Sequence, residues 1–223
     1  LPPKWGGKFC FIIESSSSIT ASAGPHGTIT PSGTIDVPPG VDQGFTISPD
    51  AGYHIADVLV DGATVGAVSS YTFVDVNEDH TIHAAFVIDS FTITASTGAN
   101  GTITPSGVVF AEYGSDQTFT ITPEQGYHVV DVLVDGISVG PQVSYTFTGV
   151  LANHTISASF GINSFTIDAS AGPNGVISPS GTVWVSYGAN RDFSITPNQG
   201  YHVSDVIVDD SSVGPVTNYT FVG

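Results

Sequence analysis

The feature that most constrains this chain is an internal repeat. Gly52-Tyr53-His54 returns 74 residues later as Gly126-Tyr127-His128, and again after 74 as Gly200-Tyr201-His202. The same offset relates Asp57, Asp131 and Asp205, then Pro31, Pro105 and Pro179, then Tyr71, Tyr145 and Tyr219. Ile19, Ile93 and Ile167 follow it too, with no insertion or deletion between them. A fixed period of this length means tandem modules, each large enough for a small core of its own.

The middle copy shows what one module is made of. Phe91 to Ala95 alternates apolar and polar residues, as a half-buried strand does. Asn100-Gly101 marks a turn, Thr102 to Thr104 is extended, and Pro105-Ser106-Gly107 breaks the pattern. Val108 to Tyr113 and Gln117 to Thr122 are strand-like, with Phe119 and Ile121 on one face. Tyr127 to Val134 runs into Asp135-Gly136, a strong hairpin signal, and Ile137 to Val139 returns. Ser144 to Phe147 and Thr155 to Phe160 complete the unit. Seven or eight short strands per module, with no helical period, predict an all-β fold of three tandem small sandwich-like or barrel-like domains.

Charge removes several functions. The chain of 223 residues carries a formal charge of -17, and its few cations are Lys4, Lys8 and Arg191. Nucleic-acid binding needs a basic surface that displaces counterions, so nucleic acid is not an expected partner. Anionic membranes repel such a chain, and no stretch approaches the ~18 apolar residues of a span, so membrane insertion is not expected either. The single cysteine, Cys10, excludes an intrachain disulfide and points to cross-linking between chains or to burial. The chain begins at Leu1, which reads as a processed product or part of a longer one.

The ends carry the most specific expectation. With the middle repeat at 90–163, the first is 16–89 and the third, 164–223, is shorter and lacks the last strand. Residues 1–15 precede the first repeat, and Lys8 to Ile13 align with Ile82 to Val87 of a last strand. An open core and a spare apolar strand are each costly, and strand addition between neighbours resolves both. The expected assembly is head-to-tail and non-closing, hence a filament. In it Trp5, Phe9, Cys10, Phe11, Ile12 and Ile13 form the donor arm, and Tyr219 and Phe221 lie at the acceptor end. Strict 74-residue register turns Lys8, Cys10 and Ile12 inward; the alternation of Phe9, Phe11 and Ile13 favours a one-residue slip, which the run from Ser15 to Ser18 could absorb.

The motif Gly126-Tyr127-His128-Val129-Val130-Asp131-Val132-Leu133-Val134-Asp135-Gly136, followed by Ser144-Tyr145-Thr146-Phe147 and by Asn153 to Phe160, resembles the divergent InlB B-repeat type of bacterial and archaeal repeat domain. The resemblance runs from Ile19 to Gly223 and implies an extracellular or cell-surface role as stalk, spacer or adhesin segment. The third copy departs from it, with Asp209-Asp210 where the others have Asp-Gly.

Local chemistry adds little to a structural role. His54, His128, His202, His80 and His154 recur with the repeat, which favours turn capping over zinc, because no short His/Cys spacing offers three ligands. Asp57 and Asp61, and their copies, stand ~13 Å apart along a strand and cannot chelate one calcium alone. Asp61 and Asp135 are expected to set hairpin turns and Asp57 to face solvent. No nucleophile motif frames any serine, so no catalysis, metal or cofactor is expected. Trp184 and Tyr187 are expected in core packing; in a carbohydrate-binding alternative, surface glycans would be the partner. Asn100, Asn153 and Asn218 each open an Asn-x-Thr glycosylation sequon.

Overall fold

The computed structural model describes residues 16–223; the donor arm, Trp5 and Phe9 to Ile13, lies outside the described residues. Among the described residues there are strands throughout and no helix. The first repeat forms β1 (Ser17–Ala23), β2 (Gly27–Thr30), β3 (Gly33–Val37), β4 (Val41–Pro49), β5 (Tyr53–Val60), β6 (Ala63–Gly66), β7 (Ser70–Val76) and β8 (His80–Ile88). The second repeats this series as β9 (Ser90–Thr97), β10 (Gly101–Thr104), β11 (Gly107–Glu112), β12 (Gln117–Pro123), β13 (Tyr127–Val134), β14 (Ile137–Ser138), β15 (Ser144–Phe147) and β16 (His154–Ile162). The third has β17 (Ser164–Ala169), β18 (Gly175–Ser178), β19 (Gly181–Ser186), β20 (Arg191–Pro197), β21 (Val206–Val208), β22 (Ser211–Gly214) and β23 (Asn218–Phe221). These segments match the alternation read from the middle copy almost strand for strand.

Pairing decides what each strand does. In the first repeat one sheet has the order β3-β1-β8-β5-β6 and the other β2-β4-β7. In the second the orders are β11-β9-β16-β13-β14 and β10-β12-β15. The two sheets share one core, so the module is an open sandwich and no barrel closes. The last strand is the middle strand of the larger sheet. β8 runs parallel to β1, with Ile19 opposite His80 and Ala23 opposite Ala84. It is antiparallel to β5, with Tyr53 opposite Ile88 and Val60 opposite Ile82. β16 repeats both pairings with β9 and β13.

The described chain forms two compact units. The first takes residues 16–91 with Ala111–Ser115 and Gly149–Leu151. Its core gathers Ile19, Ala21, Val58, Ile82 and Ala84 from the larger sheet and Ile29, Phe45, Ile47 and Phe73 from the smaller. The second unit takes Thr92–Phe110, Asp116–Thr148 and Ala152–Gly223. Ile93, Ile103, Phe119, Ile121, Val132 and Ile156 are buried there. Every hairpin between the equivalents of β5 and β6 turns on an aspartate with positive φ: Asp61, Asp135 and Asp209. Aspartate tolerates that region because its short side chain bonds locally.

The third repeat keeps the smaller sheet, as β18-β20-β23, but its larger sheet is in two pieces, β17-β19 and β21-β22. No strand stands between β17 and β21 among the described residues. Tyr201–Asp205, extended in the other copies because β8 or β16 pairs with it, is irregular here. Sequence reading placed the missing strand at the close of the unit, and the structure shows that its place is the sheet centre.

Candidate functional site

The break in the sheet is a cavity of about 460 Å³. Its walls include Ile167, Ala169 and Ile177, Phe193 and Ile195, Val206 and Val208. These are core positions. Ile19 and Ile93 are fully buried, whereas their equivalent Ile167 is only half-buried. Val58 and Val132 are likewise fully buried, and Val206 is not. Tyr219 and Phe221, expected at the acceptor end, both line the cavity. Asp168 and Asp205 add acidic groups to its wall. A second cavity of about 580 Å³ lies beside Phe165, Val185 and Phe221.

The complete repeats show how the space is filled when the strand is present. Ile82 and Ala84 of β8, and Ile156 and Ala158 of β16, point inward and are buried. Two residues on, the Phe86 ring covers Gly27 and the Phe160 ring covers Gly101, leaving no room for a Cβ at either glycine. Gly175, the third member of the series, meets only backbone atoms of Thr196 and Pro197.

The strand then leads into a junction that the Gly-Tyr-His motif builds. In the first unit the Asp89 amide donates to Gly52 O at 2.8 Å, and Tyr113 N donates to Asp89 O at 2.8 Å. The Asp89 carboxylate receives His54 Nδ1 at 2.7 Å, and the Tyr113 ring lies on Gly52. The second unit repeats the arrangement. Asn163 N bonds Gly126 O and Tyr187 N bonds Asn163 O. His128 Nδ1 reaches Asn163 Oδ1 at 2.9 Å, and Gln125 Nε2 donates to the Tyr187 hydroxyl at 2.8 Å. Gly52, Gly126 and Gly200 all have positive φ, and only over Gly200 is the space open.

The recurrent histidines and aspartates have structural partners. His80 Nδ1 bonds Asp61 Oδ2, and His154 Nδ1 bonds Asp135 Oδ2, each at 2.7 Å. The same aspartates accept Thr81 N and Thr155 N. The histidine bond first, and the threonine amide second, hold the Asp61 and Asp135 carboxyls below the usual range. Asp79 is lowered by Ser18, through its amide and then its hydroxyl. Asp57 does not simply face solvent. It accepts Val58 N, Thr64 Oγ1 and Gly66 N, capping the irregularity where β5 meets β6. Asp131 takes Ser138 and Gly140 in the same way, and Asp205 takes Ser212 and Gly214. That spacing, Asp followed by Ser or Thr at +7 and Gly at +9, was present in the sequence and unread. Among the described residues no group of three His, Cys, Asp or Glu converges as a metal site. No helix there is long and apolar enough to cross a membrane.

Trp184 corrects an expectation. It is 70% exposed, as Phe110 is at 71%, because each sits on the outward face of a strand whose neighbours Val183 and Ala111 turn inward. Tyr187 packs on Gly126 rather than in a core. Of the sequon residues, Asn153 and Asn218 are exposed and Asn100 is half-buried at a turn with positive φ. Asn153 Oδ1 accepts Thr92 N at 2.8 Å.

A family model described as divergent InlB B-repeat domain matches residues 17–90 and 91–164. It describes repeat domains of surface proteins and not an enzyme family. Among solved structures the chain is similar to the Bacillus anthracis TIE protein, at 13% identity and a TM-score of 0.37. That alignment covers 93% of this chain and 48% of the other, so this chain spans about half of that one. No curated protein matches the sequence.

Proposed function

Because this chain belongs to the divergent InlB B-repeat domain family, we propose that it is an extracellular structural subunit, with modules at 16–89, 90–163 and 164–223, that joins head-to-tail into a surface fibre. Residues 1–15 of one copy supply the strand that the third module of the next copy lacks. The observation that carries this reading is the position between β17 and β21 where both other modules hold a central strand. A strand entering there finds partners on both sides and a core beneath it. Each large apolar side chain it buries contributes about 1.5–3 kcal/mol.

Charge supports the choice of donor. The chain is strongly acidic, yet residues 1–15 contain Lys4 and Lys8, the only lysines. The receiving wall has Asp168 and Asp205, and the adjoining turn has Asp209 and Asp210. Opposite charge at a docking site speeds encounter and fixes register.

The experiment is electron microscopy with light scattering on the full chain and on a variant lacking residues 1–14. The expected result is fibres from the full chain and monomers from the variant. Monomers from both would overturn the filament reading and leave the chain as spacer modules of a surface protein; fibres from both would overturn the assignment of residues 1–15 as the donor.

A further inference from the structure

We infer that the outward face of β17 and β19, around Trp184, is a saccharide subsite that takes a neutral β-1,4-linked chain of the glucan or chitin type. The subsite is independent of how copies join, because it consists of two paired strands and the side chains they turn outward.

Antiparallel register places the polar neighbours of the ring. Thr166 lies directly across from Trp184, Asp168 across from Thr182, and Ser164 across from Ser186. Alternation turns Ile167, Val183 and Val185 to the core, so these six residues share the outward face, and all six are exposed. Cross-strand partners stand about 4.5–5.5 Å apart and diagonal ones about 7–8 Å, so Thr166 and the Asp168–Thr182 pair border the indole. Thr182 Oγ1 donates to Asp168 Oδ1 at 2.6 Å, which fixes the carboxylate beside the ring and leaves Oδ2 to accept from a ligand. The exposure of the ring does not depend on how the sheet continues beyond β17. Phe110 holds the same position in the second repeat, where β9 is paired on both sides, and is 71% exposed. There Thr94 and Val108 replace Asp168 and Thr182, and the first repeat has Asp36 opposite Ser18 with no ring. The ring and the carboxylate come together only in the third repeat.

One ring edged by hydroxyls and a single carboxylate selects its occupant. A stable protein interface needs an apolar core around its aromatic anchor, and no second apolar side chain shares this face of β17 and β19. A quaternary ammonium group is held by a cage of several rings. Nucleobases bring phosphates, which a chain of formal charge -17 repels, and the same charge excludes uronic and sulfated glycans. A pyranose with equatorial substituents has matching needs: an axial C–H face that packs on the indole, and a rim of hydroxyls that donate to Asp168 and the threonine oxygens. β-1,4-linked glucose and N-acetylglucosamine present that face at every residue. Trp184 lines neither of the two cavities and stands on open strand surface, which suits the middle of an extended chain and not a lone enclosed sugar.

The test titrates the full chain with cellohexaose and with chitohexaose, following tryptophan fluorescence to locate binding and calorimetry to measure it. Trp5 is the only other indole. At least one of the two sugars should give saturable heat and a blue shift of the emission. Trp184→Ala should abolish the shift and weaken binding at least tenfold, and Asp168→Ala should weaken it at least threefold. Phe110→Ala should change it less than twofold. Each variant is first checked for an unchanged thermal transition. Hexagalacturonate, an anionic counterpart, should give no saturable heat. No binding of either neutral sugar, binding that survives Trp184→Ala, or equal binding of hexagalacturonate overturns the subsite. Binding that ignores Asp168→Ala overturns the part given to the carboxylate. Fibres seen or not seen with the same chain bear on the filament reading and leave this one standing.

Discussion

At the scale of single residues, the three glycines of one series have different neighbours. Gly27 and Gly101 lie beneath phenylalanine rings, and Gly175 does not. None of the three has positive φ, so replacing them tests space and not backbone strain. Gly101→Ala should cost about 1–3 kcal/mol, the range for overpacking a filled site. Gly175→Ala should cost less than Gly101→Ala, because its added Cβ meets no ring and only the Thr196 and Pro197 backbone, the nearest atom at 3.3 Å. Chemical denaturation of the two variants, compared with the parent, checks the contrast. Equal effects would remove the Phe160 ring from the explanation. The same contrast shows how a recurring glycine in a sequence conceals opposite surroundings: its neighbour comes from a strand that only two of the three copies possess.

At the scale of elements, each hairpin between the equivalents of β5 and β6 depends on an aspartate, and two of the three have a histidine partner. Asp61 and Asp135 have folded pKa values below that of a free carboxyl, near 3.9. A lowered value means stabilisation that is fully present above about pH 4 and lost as pH falls through the folded pKa. Both carboxylates are half exposed, so solvent screening limits each contribution to about 0.5 kcal/mol. The double variant Asp61→Asn with Asp135→Asn should thus be less stable than the parent at pH 7 by about 1 kcal/mol. The gap should narrow steadily below pH 4; a constant gap down to pH 2 would remove the carboxylates from the explanation. Strand positions were legible because apolar residues alternate cleanly between Asn-Gly, Pro-Ser-Gly and Asp-Gly turns. Strand order was not. Nothing in the spelling of β8 distinguishes an edge strand from a central one, and its parallel pairing with β1 brings together residues about 61 apart. The junction was half legible: Gly-Tyr-His stood out, but Asp89, Asn163, Tyr113 and Tyr187 acquire a role only when two repeats meet. Trp184 was misplaced because a large aromatic was taken for core, although its neighbours Val183 and Val185 already filled the inward face of that strand.

At the scale of the whole molecule, repulsion among many carboxylates keeps copies apart, and the lysines are confined to residues 4 and 8. The parallel pairing of first and last strands has another consequence, which concerns tension. The chain enters a complete module at the start of β1 and leaves it at the end of β8, and these neighbours point the same way. A pull on the two ends then slides one strand along the other, loading the bonds between Ile19–Ala23 and His80–Ala84 together instead of unzipping them singly. β9 and β16 form a matching mechanical clamp, whereas β17 has no such neighbour among the described residues. Stretching one molecule in a force spectrometer should give two high-force ruptures for the complete modules, with the third module extending at markedly lower force. The contour released at each strong rupture should correspond to one repeat, and three equal peaks would rule out the shear clamp.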